Sequence, residues 1–427
     1  ELWMLWARDA MTRWKQFDDE WGRELRLNLF HVTGDIIYRT EWDNFQLRCK
    51  VWWDKNKIPY KVLNPDDVRK AFPVVNMDDI TACLYEPDAG VLRARRAAQA
   101  ASAAFEHLGG KVVIGRASPS KISNGTLEEI ALDTGGTLRA EKFIYCVGPW
   151  LGKTFPEIFA KKTRTPMGYV AYYGTPVGDY RFTYPNLPSF NFPGVTGWPA
   201  LPVDNRGFRV RGGERAPTPQ VANAADSTAA ASAQAAQQGR GNARANPNSP
   251  TTDVGSNLAN ASMGGGSATA EAGRGGGGGA GGGRGGGGRG QQQEVPPEQQ
   301  DPDTSDRWAS PERLDSMRRF VTHRFPLLKD APIAQTHACH YESTSSGNFV
   351  VDWHPQWSNA LIGAGGNAEG AKFSPKIGEY IAQRALGIVG EQWIADAFKI
   401  PEKEFEPPPQ TPADSAAARG RGGKPPS

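Results

Sequence analysis

The sequence predicts a mixed α/β fold in which one lobe interrupts the other. Residues 82–147 follow the order turn, helix, strand, hairpin and strand, and the last strand runs into Gly148, as in open α/β sheets that bind ligands at strand ends. After Lys161 short apolar runs alternate with Pro and Gly, which indicates a second, antiparallel sheet. Because residues 360–388 return to a strand followed by a helix, the antiparallel lobe lies inside the α/β lobe in sequence.

The first elements follow from residue spacing and from capping residues. Aromatic and small residues from Trp3 to Trp21 recur at helical spacing, so the first two dozen residues are expected to form a helix with one buried face. We then expect a strand over 29–38 broken at Gly34, a polar helix over 42–56, and a short helix that Asn64 caps.

The segment 82–147 has the clearest pattern. A helix is predicted over 93–108, because Gly109-Gly110 ends it and five residues share one face: Ala97, Ala101, Ala104, Phe105 and Leu108. A strand over 111–115 follows, then a hairpin with glycines at its turns and an apolar strand over 142–147.

The second half of the chain is predicted from the same signals. Strands are expected at 169–173, 181–184, 207–211 and 360–364, a helix over 311–319, and β structure over 334–352. Ser374-Pro375 is expected to cap a final helix, whose apolar stripe is formed by Ile377, Ile381, Ala385 and Ile388.

Composition limits the classes of protein that remain. Twenty of the 50 glycines lie in residues 216–303, a stretch too poor in large apolar residues to fold, and the tail 406–427 is similar. The formal net charge of +3 gives no reason to expect nucleic-acid binding, and no apolar run is long enough to span a membrane. The four cysteines form no CxxC pair, which argues against a zinc knuckle or a disulfide scaffold.

Four arginines in the insert lie among glycines, as in RNA-binding RGG segments: Arg240, Arg274, Arg284 and Arg289. Nearby Asp and Glu dilute this charge, so a solvated loop is the preferred interpretation. The chain opens at Glu1 within a helical pattern, so we expect an amino-terminal truncation.

The densest group of chemically active residues lies between Cys339 and Lys372, in CHYESTSSGNFVVDWHP and IGAGGNAEGAKFSP. The second motif is a strand that ends in a glycine-rich loop and opens a helix. Its N–H groups and Lys372 favour an anionic ligand, while the alternative is a tight turn with a solvated lysine.

With EPDAGVL and FIYCVGPW, these motifs resemble the flavin-dependent amine oxidoreductases of the D-amino-acid-oxidase superfamily, and the monomeric sarcosine oxidases in particular. The resemblance runs from about residue 14 to 386, apart from the insert. It implies an FAD cofactor and oxidation of amino-acid-like amines to imines by hydride transfer. It also implies a Rossmann-like FAD lobe interleaved with an antiparallel substrate lobe.

The resemblance implies roles for individual residues. Cys339 matches a cysteine that attaches flavin through a thioether, although a small buried hydrophobe is the alternative. Tyr341 matches a tyrosine that lines the substrate cavity, with a core aromatic as the alternative, and Lys372 matches the lysine that pairs with the substrate carboxylate. Flavin-contacting positions fall at Gly148, Trp150, Gly365, Gly366, Ala368, Glu369 and Gly370, and a backbone contact to the adenine falls at Ala117.

Three departures from the family pattern stand out. The GxGxxG turn and the substrate-binding arginine are expected before Glu1 and are absent from this sequence. Glu369 replaces an active-site histidine, so it would repel a carboxylate substrate unless it is paired. Arg209 replaces the lysine credited with activating oxygen and does not readily release a proton, which makes oxygen doubtful as the electron acceptor.

We therefore predict an FAD-dependent amine oxidoreductase, with an incomplete Rossmann-like FAD lobe and an antiparallel substrate lobe. The alternatives are a dehydrogenase with another acceptor and a non-catalytic remnant that acts as a binding module. A small amine or amino acid is the expected partner, and a cytoplasmic location is expected. The predicted segments are a substrate lobe of residues 1–83, 163–215 and 304–336, an FAD lobe of residues 84–162 and 337–405, a disordered insert of residues 216–303, and a disordered tail of residues 406–427.

Overall fold

The structure, a computed structural model, describes residues 2–25, 28–202, 204, 206–214, 301–388 and 390–405. The predicted tail and nearly all of the predicted insert, including Arg240, Arg274, Arg284 and Arg289, lie outside these ranges. Within them the helices are α1 (Leu2–Leu25), α2 (Asn44–Lys55), α3 (Pro65–Ala71), α4 (Ala94–His107), α5 (Leu151–Thr154), α6 (Pro156–Phe159), α7 (Pro311–Arg324), α8 (Gly370–Ala385) and α9 (Gln392–Ala397). No helix in this part of the chain is long and apolar enough to cross a membrane.

An eight-stranded sheet forms the centre of one lobe. In spatial order its strands are β15 (Ile333–His340), β11 (Met167–Tyr173), β14 (Phe208–Gly212), β13 (Val195–Trp198), β12 (Ser189–Phe192), β2 (Asp35–Arg39), β4 (Ala82–Glu86) and β3 (Lys61–Leu63). Every neighbouring pair is antiparallel except β12 and β2. The mixed α/β class and the antiparallel second sheet are thus confirmed.

A second lobe contains two three-stranded sheets. One is formed by β17 (Val350–Trp353), β18 (Ala360–Ala364) and β9 (Phe143–Tyr145), with β18 parallel to β9. The other is formed by β6 (Ala117–Ser123), β7 (Thr126–Leu132) and β8 (Thr137–Arg139). Two short ladders complete the strands: β1 (Phe30–His31) with β5 (Val91–Leu92), and β10 (Thr163–Arg164) with β16 (Ser343–Thr344).

The two faces of the large sheet differ in chemistry, because successive strand residues point to opposite sides. One face is apolar and is covered by α7: Phe208 packs 4.7 Å from Phe325, and Phe192 packs 5.4 Å from Phe320, measured between ring centroids. The opposite face, which we call the polar face, carries residues that are cross-strand neighbours: Asp35, Glu86, Ser189, Trp198, Arg209, Arg211, Tyr172, His337 and Cys339.

Helix α1 joins the two lobes. Arg13 of α1 donates to Glu379 of α8 at 3.0 Å, and Lys376 of α8 lies 3.2 Å from Asp9. The predicted buried face of this helix is confirmed, with Trp6, Trp14 and Trp21 buried. These ion pairs between α1, at the start of the chain, and α8, near its end, therefore help to hold α8 and the glycine-rich loop in place.

Two predicted strands are wrong. Residues 111–115 form no strand, and Ile114 is 86% exposed, because no strand among the described residues lies beside them to accept their backbone hydrogen bonds. Residues 181–184 begin in a 3₁₀ turn that spans Tyr180–Phe182, where the side chain of Asp179 caps the Arg181 N–H at 3.1 Å.

The predicted apolar face of α4 is confirmed at Ala97 and Ala104 and is wrong at the other three positions. The helix buries Ala97, Ala100 and Ala104, whereas Ala101, Phe105 and Leu108 are exposed. The small alanines lie against the core, and the larger side chains of the predicted stripe lie on the side of the helix that faces solvent.

Helix α8 departs from the prediction at both ends. Ser374-Pro375 does not cap it, because α8 already begins at Gly370 and contains Pro375. The Ser374 hydroxyl donates to the Ala371 carbonyl at 2.9 Å, so that carbonyl is satisfied although the proline has no N–H to give. The helix ends at Ala385, so Ile388 lies beyond it and is exposed.

Candidate functional site

Two glycine turns lie at the same edge of the three-stranded sheet formed by β17, β18 and β9. Strands β9 and β18 are parallel neighbours, and their carboxyl ends lead into Gly148 and Gly365 respectively. Gly148 has a φ of +54° and Gly365 a φ of +78°, a region that favours glycine. Ligands of open α/β sheets bind at such strand ends, so this edge is the candidate site.

Gly365 has a second reason to be glycine. A Cβ atom at this position would lie 2.5 Å from the Asn348 carbonyl oxygen. The Asn367 side chain braces the same loop, because its amide donates to the Gly365 carbonyl at 2.6 Å and its oxygen accepts from the Thr344 N–H at 2.9 Å. The segment after Cys339 therefore fixes the shape of the glycine-rich loop.

The Glu342 carboxylate lies between the two glycine turns. Its Oε1 accepts from the Gly366 N–H at 2.9 Å, and its Oε2 is 3.5 Å from where a Gly148 Cβ would be. One N–H of the loop is therefore paired with a carboxylate of this chain, and the binding of an anionic ligand by the loop remains a prediction. No role is predicted for Glu342 from the sequence, since its position between the turns depends on the pairing of β9 with β18.

Lys372 and Glu369 form an ion pair in the first turn of α8. The Glu369 side chain is 12% exposed and that of Lys372 is 31% exposed. The repulsion expected of an unpaired Glu369 is therefore relieved by its neighbour. Ala368, with a φ of +65°, precedes this pair, and Gly370 has no atom within 4 Å of an added Cβ.

Cys339, Tyr341 and Arg211 come together over Gly168. Cys339 is exposed and lies directly across the β11–β15 ladder from Gly168. An added Cβ at Gly168 would lie 3.4 Å from Arg211 Nη2 and 3.8 Å from Tyr341 Cε1. Desolvation raises the pKa of Tyr341, so its hydroxyl keeps its proton at neutral pH.

The other three cysteines differ from Cys339 in their surroundings. Cys49 and Cys83 are buried, and desolvation raises the pKa of each thiol to about 12. Cys146 is exposed at the end of β9, and desolvation together with the charge of Glu342 raises its pKa. Because the thiolate is the reactive form, thiol chemistry is disfavoured at all three.

Arg209 stacks on an aromatic ring of the polar face. Its guanidinium carbon lies 3.6 Å from the centroid of Trp198, its cross-strand partner, and its side chain is hydrogen-bonded to Tyr172. Desolvation lowers the pKa of Arg209 to about 10, which still leaves it cationic at neutral pH. Arg211 lies on the same face two residues later. The alternation Phe-Arg-Val-Arg is the sequence signal for it, although the motif comparison assigns it no role.

Two carboxylates occupy the far end of the polar face. Asp35 of β2 pairs across the ladder with Glu86 of β4, and the Ser189 hydroxyl donates to Asp35 at 2.6 Å. Desolvation raises the pKa of Asp35 to about 6 and that of Glu86 to about 7, and Asp35 raises the latter further by repulsion. Motif spacing does not reveal this pair, because it depends on strand register.

Asp35→Asn is expected to flatten the pH dependence of stability. The folded protein keeps protons on this pair that an unfolded chain, with carboxyl pKa values near 4, releases. The pair's favourable contribution is therefore full below about pH 4 and is lost as the pH rises through about 6 to 7. The melting temperatures of wild type and variant, measured from about pH 4 to 8, test this pH dependence. Parallel curves of melting temperature against pH would contradict the prediction.

The two remaining predicted residues lie at separate places. The Trp150 indole N–H donates to Asp303 at 2.7 Å, beside the ion pair that Lys153 forms with Asp301. Ala117 is exposed at the first position of β6, in the other three-stranded sheet.

A family model described as FAD dependent oxidoreductase matches residues 1–246. Two curated relatives are similar over short segments. L-saccharopine oxidase of Schizosaccharomyces pombe is 39% identical over 88 residues, which is 21% of this chain and 20% of that protein. A monomeric sarcosine oxidase of a Bacillus species is 38% identical over 90 residues, 21% of this chain and 23% of that protein. The match thus spans about a fifth of the length of these relatives.

The fold resembles solved structures over nearly the whole chain. Glycine oxidase from Bacillus cereus superposes with a TM-score of 0.62 at 14% identity, covering 94% of this chain and 85% of that one. Fructosamine oxidase from Aspergillus fumigatus superposes with a TM-score of 0.58 at 16% identity, covering 92% of this chain and 75% of that one. At this identity the likeness concerns the fold.

Proposed function

Because the chain belongs to the FAD-dependent oxidoreductase family, we propose that it oxidises the C–N bond of an amino-acid-like amine by hydride transfer to FAD. The observation that carries the proposal is the pair of glycine turns at the ends of parallel strands β9 and β18, which Glu342 contacts three residues after the exposed Cys339. The short sarcosine oxidase and saccharopine oxidase matches support an amine substrate.

The residues present fit a flavin nucleotide. An added Cβ would meet no atom within 4 Å at Gly370 and only the Glu342 Oε2, at 3.5 Å, at Gly148, so a flavin could approach the backbone closely at both positions. Cys339 is exposed on the polar face and is the candidate for a sulfur–carbon bond to the cofactor. Bound FAD supplies a two-electron acceptor for the hydride of the amine carbon.

Lys372 is the proposed partner of the substrate carboxylate, and Tyr341 the proposed wall of its cavity. Glu369 holds the lysine in the first turn of α8, where the helix dipole also favours an anion. Tyr341 retains its proton, so its hydroxyl is able to donate a hydrogen bond to a bound anion. These residues would orient the amine carbon and exclude water from it.

The electron acceptor is the second question for this site. Arg209 keeps its charge while stacked on Trp198 and does not readily release a proton, which favours a dehydrogenase that uses another acceptor. Stopped-flow mixing of reduced protein with air decides between the two activities. Fast reoxidation supports an oxidase, and slow reoxidation with fast transfer to a quinone supports a dehydrogenase.

The proposed function is tested by adding amines to FAD-loaded protein without oxygen and following loss of the oxidised flavin absorbance. We expect N-methylglycine or a larger N-substituted amino acid to bleach the flavin, and matched amines without a carboxylate to do so far more slowly. A protein that takes up no FAD would contradict the proposal and favour the binding-module alternative.

Lys372→Met is expected to raise the KM for an amino-acid amine by about 10- to 100-fold, the range for losing one charge-assisted hydrogen bond. Lys376→Met is the matched control on the same helix, because Lys376 is paired with Asp9 and Glu379. The control should lower the melting temperature slightly and leave KM unchanged. Equal KM values for the two variants would remove Lys372 from the site.

A further inference from the structure

The polar face carries two arginines, Arg209 and Arg211, to which the proposed function assigns no contact with the amine. Resting on the proposed function, we propose that Arg209 and Arg211 form a second anion subsite, so that the preferred amine carries a second carboxylate beyond the one facing Lys372. The subsite would select N-carboxyalkyl amino acids over N-methyl amino acids.

The two arginines share one face of β14. Arg209 lies opposite Tyr172 and Trp198, and Arg211 lies opposite Val170 and Thr196, so both side chains point to the polar face. Arg211 reaches the space over Gly168, next to Tyr341, where its Nη2 would lie 3.4 Å from an added Cβ. The two guanidinium groups therefore lie beside the proposed flavin attachment point at Cys339.

Neither guanidinium has a carboxylate partner among the residues that the structure describes. The surroundings of Arg209 are desolvating, since desolvation and the charge of Arg211 both lower its pKa. By contrast, the two described arginines that are buried, Arg39 and Arg324, pair with Asp43 and Asp79. A desolvated cation without an anion is costly, and an anionic ligand would offset that cost.

His337 supplies an independent polar group at the same place. Val170 pairs with Arg211 on one side and with His337 on the other, so His337 and Arg211 lie on one face. Its Nε2 is buried and has no hydrogen-bond partner within the described ranges. Desolvation and nearby arginines lower the pKa of His337, so the neutral ring could donate a hydrogen bond to a carboxylate.

The remaining charges of the face orient such a substrate. Arg206 lies 3.6 Å from Asp204, a carboxylate that Arg93 also contacts at 2.7 Å, whereas Arg209 and Arg211 have no carboxylate neighbour among the described residues. Asp35 and Glu86 lie at least three strands from β14, about 14 Å away or more at ordinary strand spacing. A second carboxylate is therefore attracted at one end of the face and repelled at the other.

The first test compares two amines that share the reacting glycine unit, N-methylglycine and N-(2-carboxyethyl)glycine. We expect kcat/KM to be at least about 10-fold higher for the dicarboxylate, the value of one good charge-assisted contact. Arg211→Gln should lower only the kcat/KM for the dicarboxylate, by about 10- to 100-fold, and Arg211→Lys should retain part of that kcat/KM.

Arg313→Gln, on the opposite side of the sheet, is the matched control. Equal kcat/KM for both amines, or equal losses in Arg211→Gln, would overturn the subsite.

The second test measures binding without turnover, using the tryptophan under Arg209 as the reporter. Glutarate should change the fluorescence of the wild type and not of Trp198→Phe, and acetate should do so only at far higher concentration. The response should weaken in Arg211→Gln. If saturating FAD abolishes glutarate binding, the anion-binding site is part of the cofactor site and the proposal is wrong. If neither amine reduces the flavin yet glutarate binds through Arg211, the proposed function fails and the subsite stands.

Discussion

Cys339→Ser is expected to abolish acid-stable attachment of flavin. After acid precipitation the wild-type pellet should be yellow, whereas the variant should leave its flavin in the supernatant. The physical reason is access: Cys339 is exposed on the polar face beside Tyr341 and Arg211, whereas burial keeps Cys49 and Cys83 as neutral thiols. Visible absorbance of pellet and supernatant measures the outcome.

Cys146→Ser is the matched control for this experiment. Cys146 is also exposed, but it lies at the end of β9, where desolvation and Glu342 raise its pKa. The control pellet should stay yellow. A yellow Cys339→Ser pellet, or a colourless wild-type pellet from protein that binds FAD, would show that Cys339 forms no bond to the cofactor.

Gly365→Ala is expected to destabilise the fold by about 2–4 kcal/mol, the sum of a left-handed backbone without glycine and a steric clash. The added Cβ would lie 2.5 Å from the Asn348 carbonyl and 2.9 Å from the Phe349 Cα, and both contacts are backbone atoms that cannot rotate away. The loop must then move, and FAD affinity should fall with stability. Denaturant unfolding and FAD titration measure the two effects.

Gly378→Ala is the control for that substitution. Gly378 lies inside α8 with no atom within 4 Å of an added Cβ, so alanine should stabilise the helix by about 0.5–1 kcal/mol. FAD affinity should not change. A Gly365→Ala protein as stable as the wild type would mean that the loop does not have the described conformation.

Local signals in the sequence are sufficient for most helices and for the glycine-rich loop. Asn64 caps α3 as predicted, its side chain accepting from the Asp66 N–H at 2.8 Å, because a cap depends on neighbouring residues. The strand predicted over 111–115 fails for the opposite reason. A strand needs a hydrogen-bonded neighbour, and β-propensity alone does not supply one.

Part of the candidate site is also open to prediction from the sequence. Motif spacing points to Cys339, Tyr341 and Lys372, and the structure brings Lys372 together with Glu369 and Tyr341 together with Arg211. Their roles remain predictions that the experiments above address. The Glu342 carboxylate between the glycine turns has no local signal of its own, because its partner Gly366 is 24 residues away.

The family resemblance, most of the elements and the glycine turns can be read from short motifs along the chain. Which charges share a face depends on tertiary contacts. Asp35 faces Glu86, and Arg211 meets Tyr341, through the register of paired strands, although each pair is far apart in the chain. A shift of one residue in that register would send these side chains into the apolar core, which is why packing, and not local propensity, sets the charge pattern of the site.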